Sequence, residues 1–156
     1  MPWAEAEGYD PDYLTQHELH FEPACLNGYS TVVIVGHDEY WTWEMRDRID
    51  AFVDRGGGLA RFAGNFQWQV RMPSDGRTQY CYRTPDRDPE SEADPRRTTT
   101  VWDYEPIGRP AAATMGLTGM GGTYNRYGVA VPRSSGGFHR LPPKALGLRG
   151  DRPLLR

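Results

Sequence analysis

His37, Asp38 and Glu39 stand in a row directly after Gly36, and Asn65 follows a second glycine, Gly64. An imidazole exchanges protons near neutral pH, and a carboxylate accepts a proton or holds a metal. Three such groups at the end of one apolar run are therefore candidates for acid–base or metal chemistry. The plainer reading of the same letters is that Asp38 and Glu39 decorate the first turn of a helix, where negative charge gains ~0.3 to 1 kcal/mol.

Other chemistry-bearing residues give weaker signals. His17 and His20 sit in QHELH, which approaches the zinc helix HExxH but with the second histidine one residue too close. Without a further ligand nearby, a hydrogen-bonded surface or core pair is expected there. Gly119, Gly121 and Gly122 imitate a phosphate loop but lack its Lys-Ser/Thr, so turns are expected, with Tyr124, Tyr127 and Phe138 as packing aromatics or the lining of a substrate pocket. Cys25 and Cys81 form no CxxC and are far apart in sequence, which predicts idle or buried thiols and neither a disulfide framework nor a zinc knuckle.

The elements around the central triplet follow from residue type. Val32, Val33, Ile34 and Val35 are consecutive and β-branched, which predicts a parallel strand covered on both faces. Gly36 lets the chain turn, Thr42 is an N-cap, and a helix starts near Trp43. Its stripe is expected at Met45, Ile49, Phe52 and Val53, with Arg46, Asp47, Arg48, Asp50 and Asp54 on the polar side. Gly56 supplies a left-handed C-cap, and residues 59–63 form the next strand. The unit is βαβ, and a right-handed crossover brings Glu39 and Asn65 to the same sheet edge. Alternation then places His37 and Glu39 on one side and Asp38 on the other. Upstream, GYDPDYL reads as a short extended segment or edge strand interrupted by Pro11.

With 156 residues the chain has the size of one domain, and 18 Gly with 13 Pro predict much irregular backbone. Net charge is −3 with scattered basic residues, which leaves no electrostatic footprint for nucleic acid or a membrane surface. No apolar run approaches a membrane span and the first residues lack a signal-peptide pattern, so a cytoplasmic chain is expected. From residue 73 to about 100 the composition turns charged and proline-rich, which predicts a long loop or partly disordered insertion. Val101 and Trp102 form a second apolar cluster, and residues 139–156 read as a tail.

The letters GHDEYW, followed by MRD, AFV, RGG, a strand, GN and QWQVR, resemble the C-terminal domain of the large (beta) subunit of N,N-dimethylformamidase and its relatives. The likeness spans about Gly8 to Gly137 and is most specific from Gly36 to Arg71, with echoes in Tyr80-Cys81-Tyr82, Thr100-Val101-Trp102 and Gly136-Gly137-Phe138. The resemblance implies an α/β fold: an open, mostly parallel sheet similar to class I glutamine amidotransferases (flavodoxin-like), without their cysteine nucleophile. Here it implies a domain over residues 1–138, incomplete at both ends, with the insertion at about 73–100 and a divergent tail at 139–156.

The activity implied is hydrolysis of a small amide at an iron held by two tyrosines and one glutamate. Glu39 matches the glutamate, His37 a proton carrier and Asn65 a group that hydrogen-bonds substrate or water. Hard oxygen ligands suit Fe(III), a Lewis acid able to polarise an amide carbonyl. The family's iron-binding tyrosines lie further upstream of GHDEYW than this sequence extends, and Tyr9 and Tyr13 match a different segment, so they take no ligand role. A truncated portion of the family protein is expected, with a small amide as substrate and a small subunit or second copy as further partners. The alternatives are a non-catalytic amidotransferase-like module that binds a ligand or subunit, and a truncated product with no independent function.

Overall fold

The element that positions everything else begins at Thr42. In the computed structural model, which describes residues 2–118 and 120, the Thr42 hydroxyl accepts the Met45 N–H at 3.2 Å and the Thr42 N–H reaches the Met45 sulfur at 3.5 Å. This capping box starts a helix over Trp43–Asp54. In chain order the elements are α1 (Pro2–Ala6), α2 (Gln16–Phe21), β1 (Thr31–His37), β2 (Tyr40–Trp41), α3 (Trp43–Asp54), β3 (Gly58–Gly64), β4 (Trp68–Gln69) and α4 (Ala111–Met115). Short 3-10 turns occupy Pro85–Arg87 and Pro95–Arg97.

Strands β1 and β3 pair in parallel, from Thr31 opposite Gly58 to His37 opposite Gly64. The β1–α3–β3 arrangement is the expected βαβ unit, and Gly56 ends the helix side of it with φ +96. A second parallel pair, β2 with β4, sets Tyr40 opposite Trp68 and Trp41 opposite Gln69. The two pairs are continuous in direction: the Asp38 N–H reaches the Gly64 carbonyl, and the Trp68 N–H reaches the Glu39 carbonyl at 3.0 Å. Gly36, with φ +102, takes the bend between them, a conformation that side chains resist. Mixed helix and parallel strand make this an α/β structure.

The core gathers Trp41, Met45, Ile49, Phe52, Phe66, Trp102 and Ala111, with Val32, Ile34 and Leu59 packed against it. Two expectations about facing are corrected. Val33 and Val35 are 46% and 54% exposed, and Phe62 is 72% exposed, so among the described residues the β1–β3 ladder is covered on one face only. Alternation explains it: the core takes Val32 and Ile34, which leaves the intervening valines on the opposite side.

On α3, Val53 is exposed and Arg46 is fully buried, the reverse of the expected assignment. At about 100° per residue, Arg46 and Val53 lie on the same flank of the helix. Near its start that flank is covered, because Arg46 donates to the Arg109 and Pro110 carbonyls and to the Thr114 hydroxyl.

GYDPDYL joins no ladder among the described residues, which removes the edge-strand alternative, since Pro11 lacks a donor in mid-segment. The charged segment after Met72 is irregular, as expected, yet it is firmly anchored. Asp88 is buried, pairs with Arg71 through two 2.7 Å bonds, and accepts the Thr99 N–H and hydroxyl. The Thr98–Thr100 stretch it organises is buried, and the Gln69 N–H donates to the Thr100 carbonyl at 2.9 Å.

Burial alone would raise the Asp88 pKa, but the Arg71 guanidinium and the Thr99 hydrogen bonds outweigh it and hold the carboxyl well below the usual carboxylate range. A depressed folded-state pKa contributes stability above the unfolded value of ~3.9 and loses it as pH falls through the folded one. Asp88→Asn should therefore cost about 3 kcal/mol near neutral pH and flatten the acid limb of the stability profile. Urea melts of both proteins from neutral pH to about pH 3 check this, and parallel acid limbs would refute it.

Candidate active site

Alternation along the end of β1 sorts the triplet as expected. Asp38 turns inward and is buried; His37 and Glu39 share the other side, with side chains 58% and 20% exposed. Asp38 Oδ1 accepts the Trp41 indole N–H at 2.7 Å, and Oδ2 lies 3.4 Å from Arg61 Nε. Arg61 also donates to the Ala63 and Gly64 carbonyls at 2.7 and 3.0 Å, so Asp38 ties the end of β1 to the end of β3. Burial pushes the Asp38 carboxyl up, against the pull of Trp41 and Arg61. It is a positioning residue.

Glu39 lies beyond the strand but three residues before the Thr42 cap, so it is no first-turn helix charge; Glu44 occupies that place. Its Oε1 accepts the Trp68 indole N–H at 3.0 Å, and its Oε2 lies 3.3 Å from His37 Nε2. A carboxylate has about four acceptor positions, so these two contacts orient Glu39 and leave capacity for a ligand. The backbone carbonyl of Glu39 accepts the Gln67 and Trp68 N–H groups, which locks the segment 65–68 against it.

Asn65 follows Gly64, the partner of His37 in the ladder, and is therefore at the same sheet edge. Its φ of +54 is a left-handed conformation that asparagine tolerates better than most residues. Phe66, next in sequence, is buried and packs on Trp41 and Trp102, with ring centroids 5.2 and 6.2 Å away. An imidazole, a carboxylate and an amide thus lie along one edge.

Two participants escape sequence reasoning. Trp68 fixes Glu39 through its indole N–H, and Arg83 lies over the Trp68 ring at 5.3 Å. Alternation in QWQVR signals a strand but no role for the tryptophan. Arg83 lies in the charged loop, where arginines are ordinary and nothing in spacing singles one out.

The remaining candidates lie elsewhere. His20 is buried on α2, its Nδ1 2.7 Å from the Thr42 hydroxyl, and burial lowers its pKa. His17 packs against Phe21 with the rings tilted by 45° and their centroids 4.6 Å apart. Cys25 and Cys81 are free thiols whose pKa values burial raises. Gly119, Gly121, Gly122, Tyr124, Tyr127, Phe138 and the 139–156 tail fall outside the described residues. Among the described residues, no group of three or more His, Cys, Asp and Glu side chains converges on a common point. No helix there is long and apolar enough to cross a membrane.

Asp38→Ala should leave the Trp41 N–H and the Arg61 guanidinium without their acceptor and cost about 3 to 5 kcal/mol. Thermal melts should show the loss, and an unchanged melting temperature would contradict the positioning role.

No curated protein matches this chain. A family does: the match covers residues 1–143, which contain every element and site residue described above. Taken with the Gly36–Glu39 edge and the Asn65–Trp68 segment locked against it, that coverage identifies the chain as a member of the N,N-dimethylformamidase beta subunit-like, C-terminal family.

Proposed function

We propose that the chain contributes the Glu39 edge of a metal-dependent hydrolase acting on small amides. The observation that carries this reading is the oriented carboxylate: Trp68 holds one oxygen, His37 stands 3.3 Å from the other, and Asn65 follows the neighbouring strand of the same edge. Membership of the dimethylformamidase-like family supports the reaction class. The larger architecture we assign is the amidotransferase-like open sheet, into which the parallel β1–β3 pair fits. We assign the chain to the cytoplasm, with a small subunit or a second copy as its protein partner.

Glu39 suits one position on an iron ion, because a carboxylate is a hard oxygen donor with unused acceptor capacity. Among the described residues no three His, Cys, Asp or Glu side chains converge, so an iron ion here would take further ligands of another kind or from elsewhere. When bound, the metal supplies Lewis-acid polarisation of an amide carbonyl. The chain's own residues do the rest. Trp68 fixes the Glu39 carboxylate, His37 carries a proton between water and the leaving amine, and Asn65 hydrogen-bonds the carbonyl or the attacking water.

A second reading, a non-catalytic module that binds a ligand or subunit, draws on the exposed apolar face formed by Val33, Val35 and Phe62. Iron content and hydrolysis of formamide and dimethylformamide, measured on the chain and on Glu39→Gln, separate the two. The hydrolase reading expects the variant to lose metal and at least about a hundredfold in rate. Equal activity in the variant would overturn the role given to Glu39, and a folded chain with neither metal nor turnover would favour the binding module. Asn65→Gly keeps the left-handed backbone while deleting the amide, and should lower the rate about tenfold or more without a large change in melting temperature.

A further inference from the structure

Arg83 combines three features that its setting in a surface loop does not require. Its φ of +67 places a non-glycine residue in the left-handed region; Asn65, also at the Glu39 edge, is the other such residue among those described. The conformation is enforced from outside. The Thr100 hydroxyl donates to the Arg83 carbonyl at 3.0 Å, and the Tyr82 N–H donates to the Thr99 hydroxyl at 2.8 Å. Thr99 is in turn fixed by the buried Asp88 carboxylate. The guanidinium is equally constrained: it lies over the Trp68 ring at 5.3 Å and donates through NH2 to the Tyr40 hydroxyl at 2.7 Å.

Tyr40 and Trp68 are opposite residues in the β2–β4 pair, so Arg83 caps the pair adjoining Glu39. The same indole that stacks under Arg83 donates its N–H to Glu39. Among the described residues no carboxylate pairs with Arg83. A guanidinium that lies over an aromatic ring, is oriented by the Tyr40 hydroxyl and the Cys81 thiol, and has more N–H groups than these two contacts use is suited to a planar anion, which it meets through two parallel hydrogen bonds.

We infer that Arg83 is the binding residue for a small carboxylate at the Glu39 edge, namely the acid that amide hydrolysis releases. The inference rests on the hydrolase reading for the origin of that acid, though the binding itself does not depend on turnover. In the reaction the amide C–N bond breaks and a C–O bond forms from water; both protons of that water leave on the amine, which departs as an ammonium at neutral pH, so that the acyl half departs as a carboxylate. The neutral amide offers Arg83 a weaker partner than this anion, so the residue discriminates product from substrate.

The test uses sodium formate and sodium acetate as probes against sodium chloride at equal ionic strength, with binding to the chain followed by NMR of the arginine side-chain N–H groups. Saturable binding is expected. Arg83→Met should weaken it about tenfold or more, and Arg83→Lys, which keeps the charge but loses the fork and the stack, should fall between. Tyr40→Phe, which deletes the hydroxyl that orients NH2, should weaken it less than Arg83→Met. Melting temperatures of all three should stay near that of the parent, since Arg83 is exposed.

Glu39→Gln should bind carboxylate at least as well as the parent, because a like charge is removed. Carboxylate binding that depends on Arg83 in a chain without amide hydrolysis would uphold the binding site and overturn the hydrolase reading. Hydrolysis with product inhibition equal in the parent and Arg83→Met would do the reverse. Carboxylate binding equal in the parent, Arg83→Met and Arg83→Lys would overturn the inference.

Discussion

The buried guanidinium of Arg46 is the constraint on which the rest of the structure depends. A charge removed from water costs several kcal/mol unless its donors are met, so everything that meets them is fixed in place. Arg46 donates to the Thr114 hydroxyl from both Nε and NH2, and to the carbonyls of Arg109 and Pro110. Its flat face lies 4.4 Å from the Trp102 ring centroid and 5.3 Å from that of Phe66. Burial lowers its pKa to about 10, which still leaves it cationic at neutral pH. One side chain on α3 thereby binds α4, the segment before it and the aromatic layer into a single body.

That layer is what reaches the site. Phe66 is gripped by Trp41, Trp102 and Arg46, and it directly follows Asn65. Trp41 donates to Asp38, which precedes Glu39, and Asp38 is also tied to β3 through Arg61. Position is therefore passed from a packed interior to an exposed edge through residues adjacent in sequence. Below the edge the bonds are buried; above it His37 is open to solvent, which the role proposed for it requires. The charged loop braces the same edge from the far side, through Asp88, Thr99 and Arg83.

Local rules made much of this legible. Four β-branched residues, a glycine, a threonine cap and a spaced apolar stripe located β1, α3 and β3, because each rests on backbone sterics and capping that need no distant partner. The division of Asp38 from His37 and Glu39 followed from the two-residue period of extended chain. Facing was harder. Whether Val53 or Arg46 is buried depends on which end of that helix flank another segment covers, and the residues that cover Arg46 are more than sixty positions away. For the same reason Val33 and Val35 read as core but stand exposed.

By itself, the sequence determined the βαβ unit, the edge that carries His37, Glu39 and Asn65, and membership of the dimethylformamidase-like family. All three rest on patterns within a short stretch of chain. Only the tertiary structure decided that Trp68 holds Glu39, that Arg46 is the buried charge, and that Asp88 anchors a loop whose composition suggests disorder. It also decided that Arg83 comes to rest on the Trp68 ring. Each of these is a contact between residues well separated in sequence, formed because buried donors and charges must find acceptors wherever the fold supplies them.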